Sequence, residues 1–162
     1  MIKRSLIFLF LFVPTLALAI SPIRTVSGKV TKVLDGDTVN LVTYEGETLK
    51  IRLYGLDAPE KAQNYGPQAS AALARWISGK EVEVEIYDVD RYGRSVGVIK
   101  INVNQQMIID GNAWHYARYD KLNTAAVWQA DENMAKAQRL GLWRDPNAIN
   151  PEIFRRQKAG SR

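Results

Sequence analysis

The chain has 162 residues, of which 46% are hydrophobic and 24% charged, a composition typical of a single globular domain. It contains no cysteine, which excludes a disulfide framework and lipid attachment at a cysteine. The formal net charge of +5 permits a polyanionic partner without requiring one.

The first 19 residues are typical of a secretory signal peptide. A short positively charged start, MIKR, precedes an apolar run that ends in Ala17-Leu18-Ala19, an A-x-A cleavage pattern. We therefore expect cleavage after Ala19, export to the periplasm or out of the cell, and no stable membrane association of the processed protein. The alternative, an uncleaved membrane anchor, is disfavoured because the run is short for a span and is interrupted by Pro14.

The rest of the chain is predicted to form one domain. Residues 20–27 are a loose lead-in, residues 28–145 the domain itself, and residues 146–162 a polar tail, punctuated by proline, that we expect to be mobile. The sequence shows no internal repeat and no low-complexity stretch. We therefore expect all functional residues to lie in a single domain.

Five strands are predicted, at Lys29–Leu34, Thr38–Tyr44, Leu49–Leu56, Glu81–Tyr87 and Ser95–Ile101. The fourth, EVEVEIY, alternates strictly. Val82, Val84 and Ile86 share one face, and the glutamates share the other. The segments EGE and DRYGR read as the turns that precede the third and fifth strands.

Three helices are predicted, within GPQASAALARWISGK, at Gln105–Asn112 and at Thr124–Leu140. In the first, Pro67 suits the first turn and Gly79 follows the end. Apolar residues recur at helical spacing on the first and third helices: Ala69, Ala72, Leu73, Trp76 and Ile77, and Val127, Ala130, Met134 and Ala137. The elements together predict a small β-barrel packed by helices.

Two turns carry carboxylates at the ends of predicted strands. DGDT, residues 35–38, joins the first two strands, and LDAPE, which ends at Glu60, follows the third. Asp37 and Asp57 are hard oxygen donors suited to Ca²⁺ or Mg²⁺, whereas one histidine and no cysteine argue against Zn²⁺. DGDT taken alone also has a purely structural explanation, because Asp-Gly is common in turns, and APE could merely terminate a strand.

Two arginines complete a set that suits attack on a phosphodiester. Arg52 lies inside an apolar strand, where a charge needs a partner, and Arg94 ends the DRYGR turn. Guanidinium groups match phosphate oxygens, and Glu60 could orient or deprotonate a water. A hard metal ion and two arginines would neutralise charge that builds on phosphorus. The residues by themselves leave open whether Arg94 is only a surface residue of a hairpin turn.

Other residues with chemical potential are assigned to packing. The four tryptophans, Trp76, Trp114, Trp128 and Trp143, are predicted to lie in the core or between helices. His115 is predicted to be a surface or packing residue rather than a catalyst.

Five segments, in order, resemble the thermonuclease family of staphylococcal-nuclease-like domains. They are VLDGDTVNL, IRLYGLDAPE, NYGPQAS, DRYGRSVGVI and AKAQRLGLW. The resemblance implies a mainly β protein of the α+β class, an OB-fold five-stranded barrel with three helices. It also implies a Ca²⁺-dependent endonuclease that hydrolyses phosphodiester bonds of DNA and RNA with little sequence preference and leaves 3′-phosphate ends.

The resemblance assigns a metal site to individual residues. Asp37 and Asp57 match the metal-binding carboxylates of the family, and Asp35 matches the acidic residue beside them. Ala58 stands where the best-known member has a threonine. Because that threonine contributes its backbone carbonyl, the resemblance implies that alanine serves equally well.

The resemblance also assigns catalytic and substrate-binding residues. Arg52, Glu60 and Arg94 match the family's catalytic arginine, carboxylate and second arginine. Tyr92 and Tyr119 match tyrosines that lie near the bound nucleotide. We expect a monomer that prefers single strands, because a narrow pocket needs an unstacked base and an accessible phosphodiester.

The sequence also departs from the family. The segment between Glu60 and NYGPQAS is shorter than in the staphylococcal enzyme, and the chain is less rich in lysine, which lowers the expected non-specific affinity for nucleic acid. Two alternatives are a non-catalytic OB-fold module that binds single-stranded nucleic acid and a structural barrel. The second would leave the charged set unexplained.

Overall fold

The computed structural model describes residues 20–122 and 124–160. The predicted signal peptide, residues 1–19, lies outside the described residues, so its cleavage stays a prediction. Within those two described ranges, no helix is both long and apolar enough to cross a membrane.

The centre of the fold is a closed barrel of five strands. The strands, in chain order, are β1 (Arg24–Val33), β2 (Thr38–Thr43), β3 (Thr48–Leu53), β4 (Leu56–Asp57), β5 (Glu81–Val89), β6 (Ser95–Ile99) and β7 (Trp114–His115). The barrel closes in the order β1-β2-β3-β6-β5. All barrel neighbours are antiparallel except β3 and β6, which run parallel. Strands β4 and β7 form a separate pair.

The helices are α1 (Gly66–Ile77), α2 (Val103–Ile109), α3 (Ala125–Ala137) and α4 (Pro151–Gly160). The first three correspond to the predicted helices, and the expected α+β class with an OB-like five-stranded barrel is confirmed. The fourth helix lies in the polar tail, to which the sequence assigned no element, and the expected mobility of the tail stays a prediction. Asn150 starts α4 because its Oδ1 accepts the Glu152 N–H at 2.9 Å, and proline follows at the first helical position.

The first strand begins earlier than predicted. The lead-in was expected to be loose as far as Ser27, but β1 starts at Arg24. Its first half pairs with β5, with Arg24 opposite Ile86, and its second half pairs with β2. The apolar pattern missed these first residues because backbone hydrogen bonds, rather than buried side chains, hold them in the barrel.

The predicted alternation of β5 is confirmed. Val82, Val84 and Ile86 are buried, whereas Glu81 is exposed and the other two glutamates of the strand are partly exposed. The valines and the isoleucine join one core cluster with β2, β3 and α1. Burial of each such side chain stabilises the fold by about 1.5–3 kcal/mol.

The packing faces of the helices agree with prediction in α1 and disagree in α3. In α1, the predicted apolar positions are buried except Trp76, which is 37% exposed. In α3, the predicted face was wrong, because Val127 and Met134 are exposed while Trp128 and Ala135 are buried. The large indole of Trp128 sets the rotation of α3, since burying it removes far more apolar surface from water than burying a valine.

The Trp128 ring packs directly on the backbone of Gly55, which joins β3 to β4. A Cβ added at Gly55 would lie 2.3 Å from the ring, and the residue has a φ of +74°. The Gly55 carbonyl also accepts the Tyr116 N–H at 2.8 Å. Gly55 therefore lets α3 approach the loop that leads to Asp57.

We expect Gly55→Ala to lower the free energy of unfolding by about 2–4 kcal/mol, because it adds a clash to the cost of a left-handed backbone. Gly46→Ala is the matched control, since Gly46 has a φ of +87° but no neighbour within 4 Å of the added Cβ. We expect the control to lose about 1–2 kcal/mol. Denaturant titration of both variants measures the difference, and equal losses would show that the Trp128 contact is not tight.

Candidate active site

An open cavity of about 1210 Å³ lies where the β1–β2 turn, the end of β3 and the β5–β6 turn meet. Eight of the nine predicted site residues line it: Asp35, Asp37, Arg52, Ala58, Glu60, Tyr92, Arg94 and Tyr119. The ninth, Asp57, lies beneath the surface, with a side chain only 1% exposed. The structure thus brings the predicted residues together, while their roles stay predictions.

The β1–β2 turn fixes the carboxylate of Asp37. Its Oδ1 accepts the Thr38 hydroxyl at 2.9 Å, and its Oδ2 accepts the Ala58 N–H at 2.9 Å. The turn packs so closely that a Cβ at Gly36 would lie 2.6 Å from the Ala58 side chain and 2.9 Å from that of Ala69. Glycine at position 36 therefore allows the turn to reach both α1 and the loop that carries Asp57.

Arg52 joins the two carboxylate turns. Its Nη2 lies 3.0 Å from Asp57 Oδ1 and 3.1 Å from Asp37 Oδ2. Its Nη1 donates to the carbonyls of Leu53 at 3.1 Å and Leu56 at 2.9 Å. The side chain is 12% exposed, so the sequence-based expectation that a charge inside this strand has a partner is confirmed. The Arg52 guanidinium thus contacts both aspartates and also the backbone carbonyls at and after the end of β3.

The charged forms of Asp35 and Asp57 are disfavoured even though both carboxylates have hydrogen-bond partners. Burial and then the charge of Asp37 raise the pKa of Asp35 to about 6. Burial also raises the pKa of Asp57, although Arg155 and Arg52 partly offset that effect. Burial is therefore the main reason that the charged forms of these two aspartates are disfavoured.

The DRYGR turn positions Arg94 in the cavity. Asp90 Oδ2 accepts the Arg94 Nε–H at 2.7 Å, and Asp90 Oδ1 accepts the backbone N–H groups of Tyr92 and Arg94. Burial opposes ionisation of Asp90, but these hydrogen bonds outweigh it and lower its pKa. Arg94 Nη1 also lies 3.5 Å from the Thr38 hydroxyl. Sequence reasoning named Tyr92 and Arg94 in this turn and missed Asp90, which orients Arg94.

Glu60 lies at the mouth of the cavity with a side chain 39% exposed. Its carboxylate accepts a hydrogen bond from Arg155 Nη1 at 2.8 Å. Arg155 also donates to both oxygens of Asp57, at 3.1 Å from Nη1 and 2.8 Å from Nη2. Burial lowers the pKa of Arg155, but these carboxylates outweigh that effect and raise it.

Sequence reasoning missed Arg155 because it assigned no element to the tail. A signal was present in NPEIFRRQKAG, where asparagine, proline and glutamate are typical of a helix start. The helix buries only a little apolar surface, and its buried residue is Pro151. A hydrophobic pattern this weak does not by itself predict where the helix docks.

Aromatic rings line two sides of the cavity. Tyr92 is 69% exposed, and the guanidinium groups of Arg91 and Arg94 lie 4.9 and 5.6 Å from its ring centroid. Tyr119 packs on Tyr116 with ring centroids 4.7 Å apart. Tyr116 also lines the cavity and was missed, because the resemblance matched only Tyr119.

The loop that carries these two tyrosines is tied to the barrel. The hydroxyl of Tyr54 accepts the N–H groups of Lys121 and Leu122. His115 is buried, with Nε2 3.0 Å from Asp120 Oδ2 and its ring edge-on to Trp128. The expectation of a packing role for His115 is confirmed, and its partners hold the loop beside the cavity.

The donor set fits a hard cation that takes part of its coordination from backbone and water. Among residues 20–122 and 124–160, no three or more His, Asp or Glu side chains form a ready-made metal cluster. Asp37 and Asp57 nevertheless direct oxygens at the same Arg52 nitrogen. Ca²⁺ accepts carboxylate, carbonyl and water oxygens together.

Comparison with known proteins agrees with this arrangement. A family model described as "Staphylococcal nuclease homologue" matches residues 50–145. A relative from Shigella flexneri named "Micrococcal nuclease" is 38% identical over 141 residues, which cover 80% of each chain. A relative from Escherichia coli O157:H7 named "Uncharacterized endonuclease" is 39% identical over 137 residues, covering 82% of this chain and 87% of its own.

A plant protein is also similar to this chain. The relative from Oryza sativa subsp. japonica named "Probable staphylococcal-like nuclease CAN1" is 44% identical over 112 residues, which cover 67% of this chain and 33% of the relative. The family match and these identities over most of the chain establish that the protein belongs to the family of staphylococcal nuclease homologues.

Proposed function

We propose that this protein is an exported, Ca²⁺-dependent endonuclease that hydrolyses phosphodiester bonds of DNA and RNA with little sequence preference and leaves 3′-phosphate ends. The observation that carries the proposal is one cavity in which Arg52 joins Asp37 and Asp57 while Glu60 and Arg94 line the walls. The names of the relatives, nuclease and endonuclease, support the same reaction class.

The metal site is assigned to Asp37, Asp57 and the backbone carbonyl of Ala58, with Asp35 beside them. When bound, Ca²⁺ would neutralise negative charge that develops on a phosphate oxygen in the transition state. The fixed hydrogen bonds to Asp37 support this assignment, because they hold its carboxylate in place before any ion arrives. Such preorganisation lowers the cost of binding.

The arginines act on the phosphate. Arg94 is aimed by Asp90 and can present its remaining N–H groups to a phosphate oxygen. Arg52 holds the acidic pair and supplies fixed positive charge at the base of the cavity. Both guanidinium groups stabilise the pentavalent transition state more than the ground state, because its negative charge is larger.

Glu60 serves the attacking water, either as its base or by orienting it. The water oxygen bonds to phosphorus while its proton is taken up, and the bond from phosphorus to the 5′ oxygen breaks. The leaving oxygen gains a proton to become a 5′-hydroxyl, and the phosphate stays on the 3′ oxygen. The exposed position of Glu60 at the cavity mouth gives a water access to its carboxylate.

The aromatic rings select the substrate. Tyr92 and the Tyr116–Tyr119 pair offer flat surfaces on which unpaired bases can stack without sequence preference. A duplex keeps its bases stacked on each other, so we propose that single strands are preferred. We further propose that the signal peptide directs export and that the protein acts as a monomer.

We expect the protein to cut denatured DNA with Ca²⁺ and to lose this activity with EGTA. The products are expected to carry 3′-phosphate and 5′-hydroxyl ends, which resist extension by a polymerase until a phosphatase treats them. Retention of DNA without cleavage, across several divalent metals, would instead support the non-catalytic binding module.

Glu60→Gln is expected to lower the cleavage rate about 10²- to 10⁴-fold if Glu60 is a general base, because the amide cannot accept the proton. Glu45→Gln is the control, since it is the same substitution in the exposed turn between β2 and β3. Single-turnover rates compare the two variants. Undiminished cleavage by Glu60→Gln would exclude the general-base role, because a glutamine amide can orient a water but cannot accept its proton.

Arg94→Lys is expected to lower kcat strongly with a smaller change in KM, because lysine cannot reproduce the guanidinium fork in the transition state. Arg24→Lys is the matched control, because Arg24 makes a two-bond ion pair with Glu47 outside the cavity. A change confined to KM would mean that Arg94 only binds substrate. Steady-state kinetics on single-stranded DNA distinguishes these results.

A further inference from the structure

Helix α4 brings a positive charge to the carboxylates proposed to bind metal and activate water. Asp57 Oδ1 accepts hydrogen bonds from Arg52 and Arg155, and Asp57 Oδ2 accepts one from Arg155. The same Arg155 Nη1 reaches Glu60. Arg155 therefore bridges the two carboxylates across nearly 100 residues of sequence.

This bridge and a bound divalent cation compete for Asp57. A carboxylate offers about four lone pairs, and three of those on Asp57 already accept hydrogen bonds from arginine. A divalent ion at this carboxylate would also repel a guanidinium in contact with it. Binding of an ion to Asp57 is therefore expected to displace Arg155.

The attachment of α4 is weak enough to release. Pro151 is its buried residue, and its last five residues are exposed. Phe154 is partly buried against a second cavity of about 390 Å³. An ion pair between Glu152 of α4 and Arg118, 3.7 Å long, is open to solvent and contributes little to the stability of the docked helix. Breaking the Arg155 contacts is thus the main cost of moving the helix.

The segment before α4 stays attached when the helix moves. Gln63 donates its side-chain amide to the carbonyl of Ile149 and accepts the Glu60 N–H through Oε1 at 3.2 Å. Gln63 is buried, so this contact is shielded from water. The chain therefore has a fixed point two residues before the helix, around which α4 can turn away from the cavity.

We propose that α4 is an autoinhibitory strap whose Arg155 occupies the acidic site as an internal cation, and that a divalent cation binds Asp57 by displacing it. The inference rests on the proposed function, because it assigns a regulation to the same metal site. Exchange of one cation for another keeps the buried Asp57 charge balanced in both states. Arg155 also donates a hydrogen bond to Glu60 Oε1, so in the closed state a guanidinium engages one oxygen of the proposed water-activating carboxylate.

Calcium affinity tests the competition directly. We expect Arg155→Gln to bind Ca²⁺ about 3- to 10-fold more tightly than the unaltered protein, because the closed state no longer reduces the binding-competent fraction. Arg156→Gln is the matched control, because it removes the same charge from the next position of α4. Arg156 pairs with Glu152 of its own helix. Isothermal titration calorimetry with Ca²⁺ alone measures all three dissociation constants.

Hydrogen exchange tests the movement. Saturating Ca²⁺ is expected to speed amide exchange in residues 151–160 of the unaltered protein, because the helix leaves the body and frays. The amides of β2 and β5 are expected to keep their protection and serve as the internal reference. In Arg155→Gln, exchange of the helix is expected to be fast with or without Ca²⁺.

The outcomes separate the strap from the metal site. Equal Ca²⁺ affinity in Arg155→Gln and the unaltered protein, or weaker affinity in the variant, would overturn the competition while leaving the metal site intact. An equal gain in Arg156→Gln would also overturn it, since loss of charge alone would then explain the effect. Absence of Ca²⁺ binding in all three proteins would overturn the proposed metal site itself.

Discussion

Two buried carboxylates of like charge, held by one guanidinium, are the constraint on which this end of the molecule depends. Asp37 and Asp57 both contact Arg52 Nη2, and all three side chains are at most 12% exposed. An unpaired charge at such depth would cost several kcal/mol. The tight β1–β2 turn and the hydrogen bonds of Arg52 to the carbonyls of Leu53 and Leu56 follow from the need to keep the three groups in register.

The strand order of the barrel explains how residues far apart in sequence reach one cavity. Thr38 on β2 pairs with Arg52 on β3, and β3 pairs in parallel with β6, where Ile51 lies opposite Ser95. Arg94 directly precedes Ser95, so the parallel pair brings the second arginine beside the first. Antiparallel hairpins alone would not place these two arginines together. The site therefore depends on β3 lying between β2 and β6 in the closed barrel.

Sequence reasoning succeeded where one local pattern decides the structure. The alternation of β5 predicted its buried face, and the apolar surroundings of Arg52 predicted a charged partner. It failed where the outcome depends on a distant partner. The face of α3 is set by Trp128 against Gly55, which helical spacing within α3 cannot reveal. Docking of α4 depends on Arg155 meeting carboxylates almost 100 residues earlier, while the helix itself has little apolar surface.

The proposed strap and the proposed export are physically consistent with each other. A cation site with two carboxylates and a competing arginine must be weaker than the same site without the arginine, because part of the binding energy goes into displacing it. Weak sites, with dissociation constants on the order of 10⁻⁴–10⁻³ M, are those that extracellular calcium modules use. At the much lower calcium of a cytosol, Arg155 would keep Asp57 and Glu60 occupied. The same contact that stabilises the buried carboxylate without metal would thus hold the enzyme inactive until it reaches a calcium-rich compartment.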